Sequence, residues 1–192
     1  MTETLKKKSG FLHEFMDMLE SVFTSATVVL LIFTFLFRIV TVDGTSMCNT
    51  LQNDDKLIVN HMFYEPERGD IIVFESGIDG LGRLVKRVIA LPGQTVDIDV
   101  ESARVKVDGE YIDEPYVFGV TYPISDYDYP VTVPSGCVFV MGDNRWHEDA
   151  NGTARNHSTD SRDELVGFVD CDKIIGKVLL RFFPFSSLGF VD

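Results

Sequence analysis

From Ser21 to Phe37 the chain carries no charged side chain. Seventeen residues of helix reach about 25 Å, a little short of a hydrocarbon core of roughly 30 Å. Extending the helix past Arg38 to Val42 closes that gap, because an arginine stem can snorkel to the interface. The run is too long for a cleaved leader, and no Ala-x-Ala site follows it. The expectation is therefore an uncleaved single anchor over residues 21–42, with residues 1–20 as its cytoplasmic or interfacial entry. Lys6, Lys7 and Lys8 lie before the span, which places the N-terminus inside and the remainder outside the cytoplasm.

Residues 1–38 hold four basic and four acidic side chains, so the whole net charge of −13 belongs to residues 39–192. A domain that acidic repels phosphates, which excludes nucleic acid as a partner. Cys48, Cys137 and Cys171 are the three cysteines, and their spacing selects no disulfide pair. No histidine or cysteine spacing matches a metal site, so no metal or cofactor is implied.

After residue 42 the apolar periodicity changes to strands. Leu57–Val59, Ile71–Phe74, Arg83–Leu91, Thr95–Val100, Arg104–Val107, Glu110–Ile112, Val131–Val133, Cys137–Met141 and Lys173–Phe183 are short and apolar or alternating, with turn residues between them. Asp108-Gly109 is a hairpin signal. Residues 43–192 are expected to be one all-β domain, a coiled antiparallel sheet, closed or nearly closed like a barrel. Two excursions interrupt it. Residues 113–130 are rich in tyrosine and proline, and residues 146–157 are polar and read as an exposed loop.

Two residues stand out chemically. Strict alternation puts Leu84, Lys86, Val88 and Ala90 on one face of a strand and Val85, Arg87, Ile89 and Leu91 on the other. Each apolar face thus carries one cation. A buried lysine favours its neutral form, which can accept a proton from a serine hydroxyl. An edge lysine snorkelling to water fits the same pattern. Ser46 follows the apolar span closely, but a serine without a base is unreactive. The residues alone leave both readings open.

Five segments in order resemble bacterial type I signal peptidase of the compact Gram-positive kind. Ser46-Met47-Cys48-Asn49-Thr50-Leu51 resembles the nucleophile box, usually Ser-Met-x-Pro-Thr-Leu. Arg68-Gly69-Asp70 with the apolar run to Phe74 resembles the second box, and Lys86-Arg87-Val88 to Pro92-Gly93 the lysine box. Gly142-Asp143-Asn144-Arg145 and Ser158-Thr159-Asp160-Ser161-Arg162 resemble the two ends of the last box. The resemblance implies a Ser-Lys dyad, with Ser46 as nucleophile and Lys86 as general base. Ser46 N–H would donate to the oxyanion. The second donor is unassigned, because Gly44 stands where some relatives carry a serine. Ser158 would orient the lysine, with Asp160, Arg162 and Asp143 as structural neighbours. Val42, Met47, Leu51 and Val85 would line substrate pockets. The implied partners are preprotein signal peptides with small residues at −1 and −3, and the lipid bilayer. The sequence sets no oligomeric state.

Two departures accompany the resemblance. Asn49 replaces the usual proline, and Asn144-Arg145 is separated from Ser158 by about ten extra residues, set against the resembled family pattern. Two alternatives follow. One is a catalytically degenerate homologue serving as an assembly factor, for instance for pili. The other is a self-cleaving Ser-Lys regulator.

Overall fold

The structure is a computed structural model describing residues 2–62, 64–124, 128–148, 154–156 and 159–191. The chain forms two compact units, residues 1–37 and 38–192.

The first unit is one helix, α1 (Thr2–Leu36). Its segment His13–Leu36 has 24 residues and a mean hydropathy of 2.0. At 1.5 Å per residue that is about 36 Å, enough to cross a hydrocarbon core. The hydroxyls of Ser25, Thr27 and Thr34 donate to the carbonyls of Ser21, Phe23 and Leu30, each at 2.8 Å. Polar side chains in an apolar helix thereby satisfy themselves one turn back. The helix ends earlier than the expected boundary at Val42. Its length comes from the N-terminal side of Ser21, and Phe37–Thr41 is a strand, β1. Ile39, Val40 and Thr41 are β-branched, which favours a strand over a last helical turn.

The second unit is all-β, as its alternation implies. Its strands after β1 are β2 (Lys56–Asn60), β3 (Ile71–Glu75), β4 (Arg83–Ala90), β5 (Thr95–Asp99), β6 (Arg104–Val107) and β7 (Glu110–Tyr111). Then come β8 (Val131–Thr132), β9 (Cys137–Met141), β10 (Trp146–Glu148), β11 (Ala154–Asn156), β12 (Val169–Asp170), β13 (Ile174–Phe183) and β14 (Gly189–Phe190). The main sheet runs β1-β2-β13-β3-β4-β9-β12, with β14 also on β13. A smaller sheet runs β7-β6-β5-β8. Among the described residues neither sheet closes on itself, so the architecture is open sheets rather than a barrel.

The expected hairpin forms, with Asp108 at φ 53° and Gly109 at φ 83°, the left-handed pair that a two-residue turn requires. The loop expected at 146–157 contains a ribbon instead, β10 paired with β11 from Trp146↔Asn156 to Glu148↔Ala154. Asn151-Gly152, midway between the two strands in the sequence, was the available signal.

Apolar side chains form three clusters. One centres on Met47, Leu51, Leu57, Val73 and Val178. A second joins Ile89, Phe139 and Met141 of the main sheet to Val96, Val105 and Val107 of the smaller one. The third holds Ile72, Phe74, Val88, Val138 and Val140. The strict alternation expected along β4 breaks at a register shift between Val88 and Ala90. Ile89 and Ala90 both join the second cluster, and Leu91 packs with Val88 in the third. An extra residue in one strand produces this reversal of faces. Gly176 lies where β13 shifts its register on β3. A Cβ there would sit 1.9 Å from the Asn60 carbonyl oxygen.

Candidate active site

The segment carrying Ser46 is a tight turn on a buried base. Val42 N–H donates to Asp55 O at 2.9 Å, and Asp54 N–H returns to Val42 O at 2.9 Å. Gly44 takes φ +100° and gives its N–H to Asn53 Oδ1 at 2.8 Å. Cys48 N–H then donates to Thr45 O and Leu51 N–H to Met47 O, at 3.0 and 2.8 Å. Met47 and Leu51 are fully buried beneath this turn, and Ser46 stays half-buried above it. Asn49 sits at φ 74°. Proline is locked near −65° and cannot adopt that conformation, so the departure from the resembled box has a structural counterpart.

Lys86 projects from β4, opposite Ile72 of β3. It is 1% exposed. Its Nζ lies 2.6 Å from Ser46 Oγ and donates also to Val85 O at 3.1 Å. Burial lowers its pKa to about 8. That value is the balance of burial, the largest cause, with the charge of Asp160 opposing it, Arg162 adding to it and Asp143 opposing it. The amine is therefore poised to be neutral in mildly alkaline conditions. A neutral amine reverses the hydrogen bond and accepts the Ser46 proton.

Buried ion pairs fix the elements around these two side chains. Arg87 meets Asp143 through two bonds of 3.0 and 2.8 Å, donates to Gly69 O at 2.8 Å and stacks 3.9 Å over the Tyr116 ring. Thr50 Oγ1 donates to the same carboxylate at 2.5 Å. One acidic group thus ties together the Ser46 turn, β4 and the segment after β9. Arg162 and Asp160 form a second bidentate pair at 2.9 Å, with Gly142 N–H on the carboxylate at 3.0 Å. Arg145, with no exposed surface, donates to Gly142 O, Thr121 Oγ1 and Glu114 Oε1, each at 2.6 Å. That clamp fastens the tyrosine-rich excursion to the segment beside Ser46.

Sequence reasoning named Asp143, Asp160 and Arg162 but missed Thr50, Asn144, Arg145 and Glu114 as supports. The second cation on the lysine strand, Arg87, was the one local hint of a buried partner. Ser158 lies outside the described residues.

A cleft of about 230 Å³ runs past Ser46 and Lys86, walled by residues 39–43, Met47 and the start of β4 from Arg83 to Val85. Leu51, expected in the lining, is not one of its walls. Its one-turn bond to Met47 O directs it into the core cluster instead. A larger hollow of about 570 Å³, lined by Tyr64, Glu65, Leu91, Asp172 and Ile174 among others, is reached by neither Ser46 nor Lys86. Cys48 is close by in sequence, but burial raises its pKa and keeps it a thiol.

The family model described as signal peptidase, peptidase S26, matches residues 15–183. A probable signal peptidase I-1 of Synechocystis sp. is 40% identical over 77% of this chain and 72% of its own. A signal peptidase I of Bacillus licheniformis is 33% identical over 100% of both chains. A solved signal peptidase I from Enterococcus faecalis V583 is 31% identical, covers 59% of this chain and 97% of its own, and has a TM-score of 0.44.

Proposed function

The chain belongs to the signal peptidase, peptidase S26, family, which removes signal peptides, and we propose that it does so as a membrane-anchored Ser-Lys endopeptidase. The observation that carries this reading is the 2.6 Å contact between Ser46 Oγ and the amine of a lysine withdrawn from water. In the proposed reaction Ser46 Oγ bonds to the carbonyl carbon at the −1 position, and its proton passes to Lys86 Nζ. Ser46 N–H donates to the oxyanion that forms. Collapse expels the mature protein's amine, which takes the proton back from Lys86. A water then gives a proton to Lys86 Nζ and attacks the acyl carbon; the ester bond to Ser46 breaks, Ser46 Oγ takes the proton back from Lys86, and the signal peptide leaves as a carboxylic acid.

A cleft of about 230 Å³ between Val42, Met47 and Val85 suits small side chains at −1 and −3. Helix α1 serves as the anchor in this reading. Lys6 to Lys8 keep its N-terminus in the cytoplasm and put the β-rich unit outside.

The test is cleavage of a preprotein in detergent or vesicles by the parent, Ser46→Ala and Lys86→Ala. Both variants should lose activity by a factor of at least about a thousand. Cleavage at the parent's rate by either one sinks the dyad.

A further inference from the structure

The dyad reading leaves open what aims the oxyanion donor, and a side chain outside the dyad answers it. Asn144 follows Asp143, is 3% exposed, and makes two contacts to the Ser46 turn. Its backbone N–H donates to Ser46 O at 3.0 Å, and its side-chain Nδ2 donates to Thr45 O at 2.8 Å. The second bond grips the peptide unit that contains Ser46 N–H. In a trans peptide the C=O and N–H point in opposite directions. Holding Thr45 O against Asn144 therefore turns Ser46 N–H away from residue 144. Among the described residues that N–H has no acceptor.

Two further observations separate this from ordinary packing. Asn144 Oδ1 is buried without a hydrogen-bond partner among the described residues. A side chain kept only to fill space would not hold a half-satisfied amide there. Flipping the amide is no remedy, since it would set Oδ1 against Thr45 O, acceptor against acceptor. The residue is also braced on both sides. Phe118 N–H donates to Asp143 O and Arg145 N–H to Phe118 O, at 2.9 and 2.8 Å. The neighbouring Asp143 and Arg145 side chains are both in buried ion pairs.

We propose that Asn144 is a positioning residue for catalysis, its side-chain amide fixing the Thr45–Ser46 peptide plane so that Ser46 N–H meets the oxyanion. The proposal rests on the Ser46–Lys86 reading.

The experiment compares the parent, Asn144→Leu and Asn144→Ala on a signal-peptide substrate across pH. It also measures inhibition by a substrate-derived peptide aldehyde and by the matching peptide alcohol. The aldehyde forms a tetrahedral adduct with Ser46, and the alcohol cannot. Loss of the donor should lower kcat roughly tenfold to hundredfold with KM within about threefold. Aldehyde affinity should fall by a similar factor, alcohol affinity should hold, and the pH midpoint of Lys86 should stay. Unchanged kcat, equal loss of both inhibitors, or a fall explained by a moved pH profile overturns the proposal. So does melting of both variants below the assay temperature, which would make the residue structural. A Ser46→Ala control separates the two layers. If that variant still cleaves, the dyad is wrong and the positioning role goes with it.

Discussion

Lys86 meets two opposed demands. Burial suits its amine to the proposed role of base and also makes its cation expensive to hold. With a pKa near 8 against 10.5 for an ordinary lysine, about a tenth of the folded protein carries the neutral base at pH 7. Activity as kcat/KM should therefore climb with pH and reach half its plateau near pH 8. A flat profile from pH 6 to 9 would remove the amine from the mechanism. Stability moves the same way. Below about pH 8 both folded and unfolded chains hold the proton, and the folded state carries the full cost of the buried charge. Between about 8 and 10.5 the unfolded chain binds a proton that the folded one has released, so folding strengthens as pH rises. Lys86→Met should thus be inactive yet more stable at pH 7 by about 2–3 kcal/mol, with the gain fading toward pH 10.5, measured by urea unfolding. Asn49 tests the turn below the serine. Asn49→Gly should be close to neutral, and Asn49→Pro should cost more than about 1 kcal/mol because φ 74° is closed to proline. Equal melting temperatures for the two variants would contradict the left-handed turn.

At the scale of elements, Gly176 marks a close approach of β13 to the Asn60 backbone. The Cβ of an alanine there would collide with the Asn60 backbone, which cannot give way as a side-chain tip can. Gly176→Ala should destabilise by about 3 kcal/mol or more, roughly 10 °C in melting temperature. An unchanged melt would mean that β13 and β2 are not so close. Most strands of the two sheets were legible beforehand, because β3, β5, β6 and β9 bury alternate or continuous apolar residues and are bounded by turn chemistry. β12 and β14 were not legible, being two residues each and set by their neighbours rather than by their own pattern. The register shift in β4 was hidden for the same reason. Nothing in Val88-Ile89-Ala90 announces an extra residue, and only the partner strand reveals it. The site divides along similar lines. Ser46 and Lys86 gained meaning from the order of five segments, each weak by itself. The support from Glu114 to Arg145 left no local trace, since it spans 31 positions and is made by folding.

For the molecule as a whole, the sheet order sets chain order against position. β13 (Ile174–Phe183) is the last long strand, yet it lies between β2 and β3, which do not pair with each other. Stopping the chain at residue 172 should leave neither protease activity nor a cooperative unfolding transition. A truncated chain that retained either would break this dependence. The arrangement also has a consequence in time. Ser46 and Lys86 leave the ribosome early, but the layer that seats them stays incomplete until residues near 183 have followed. A nascent chain would then hold both groups of the proposed dyad before β13 has joined β2, which follows the Ser46 turn, to β3, which pairs with the lysine strand. Proteolytic competence would switch on once, late in synthesis, and the growing chain would be spared its own chemistry until then.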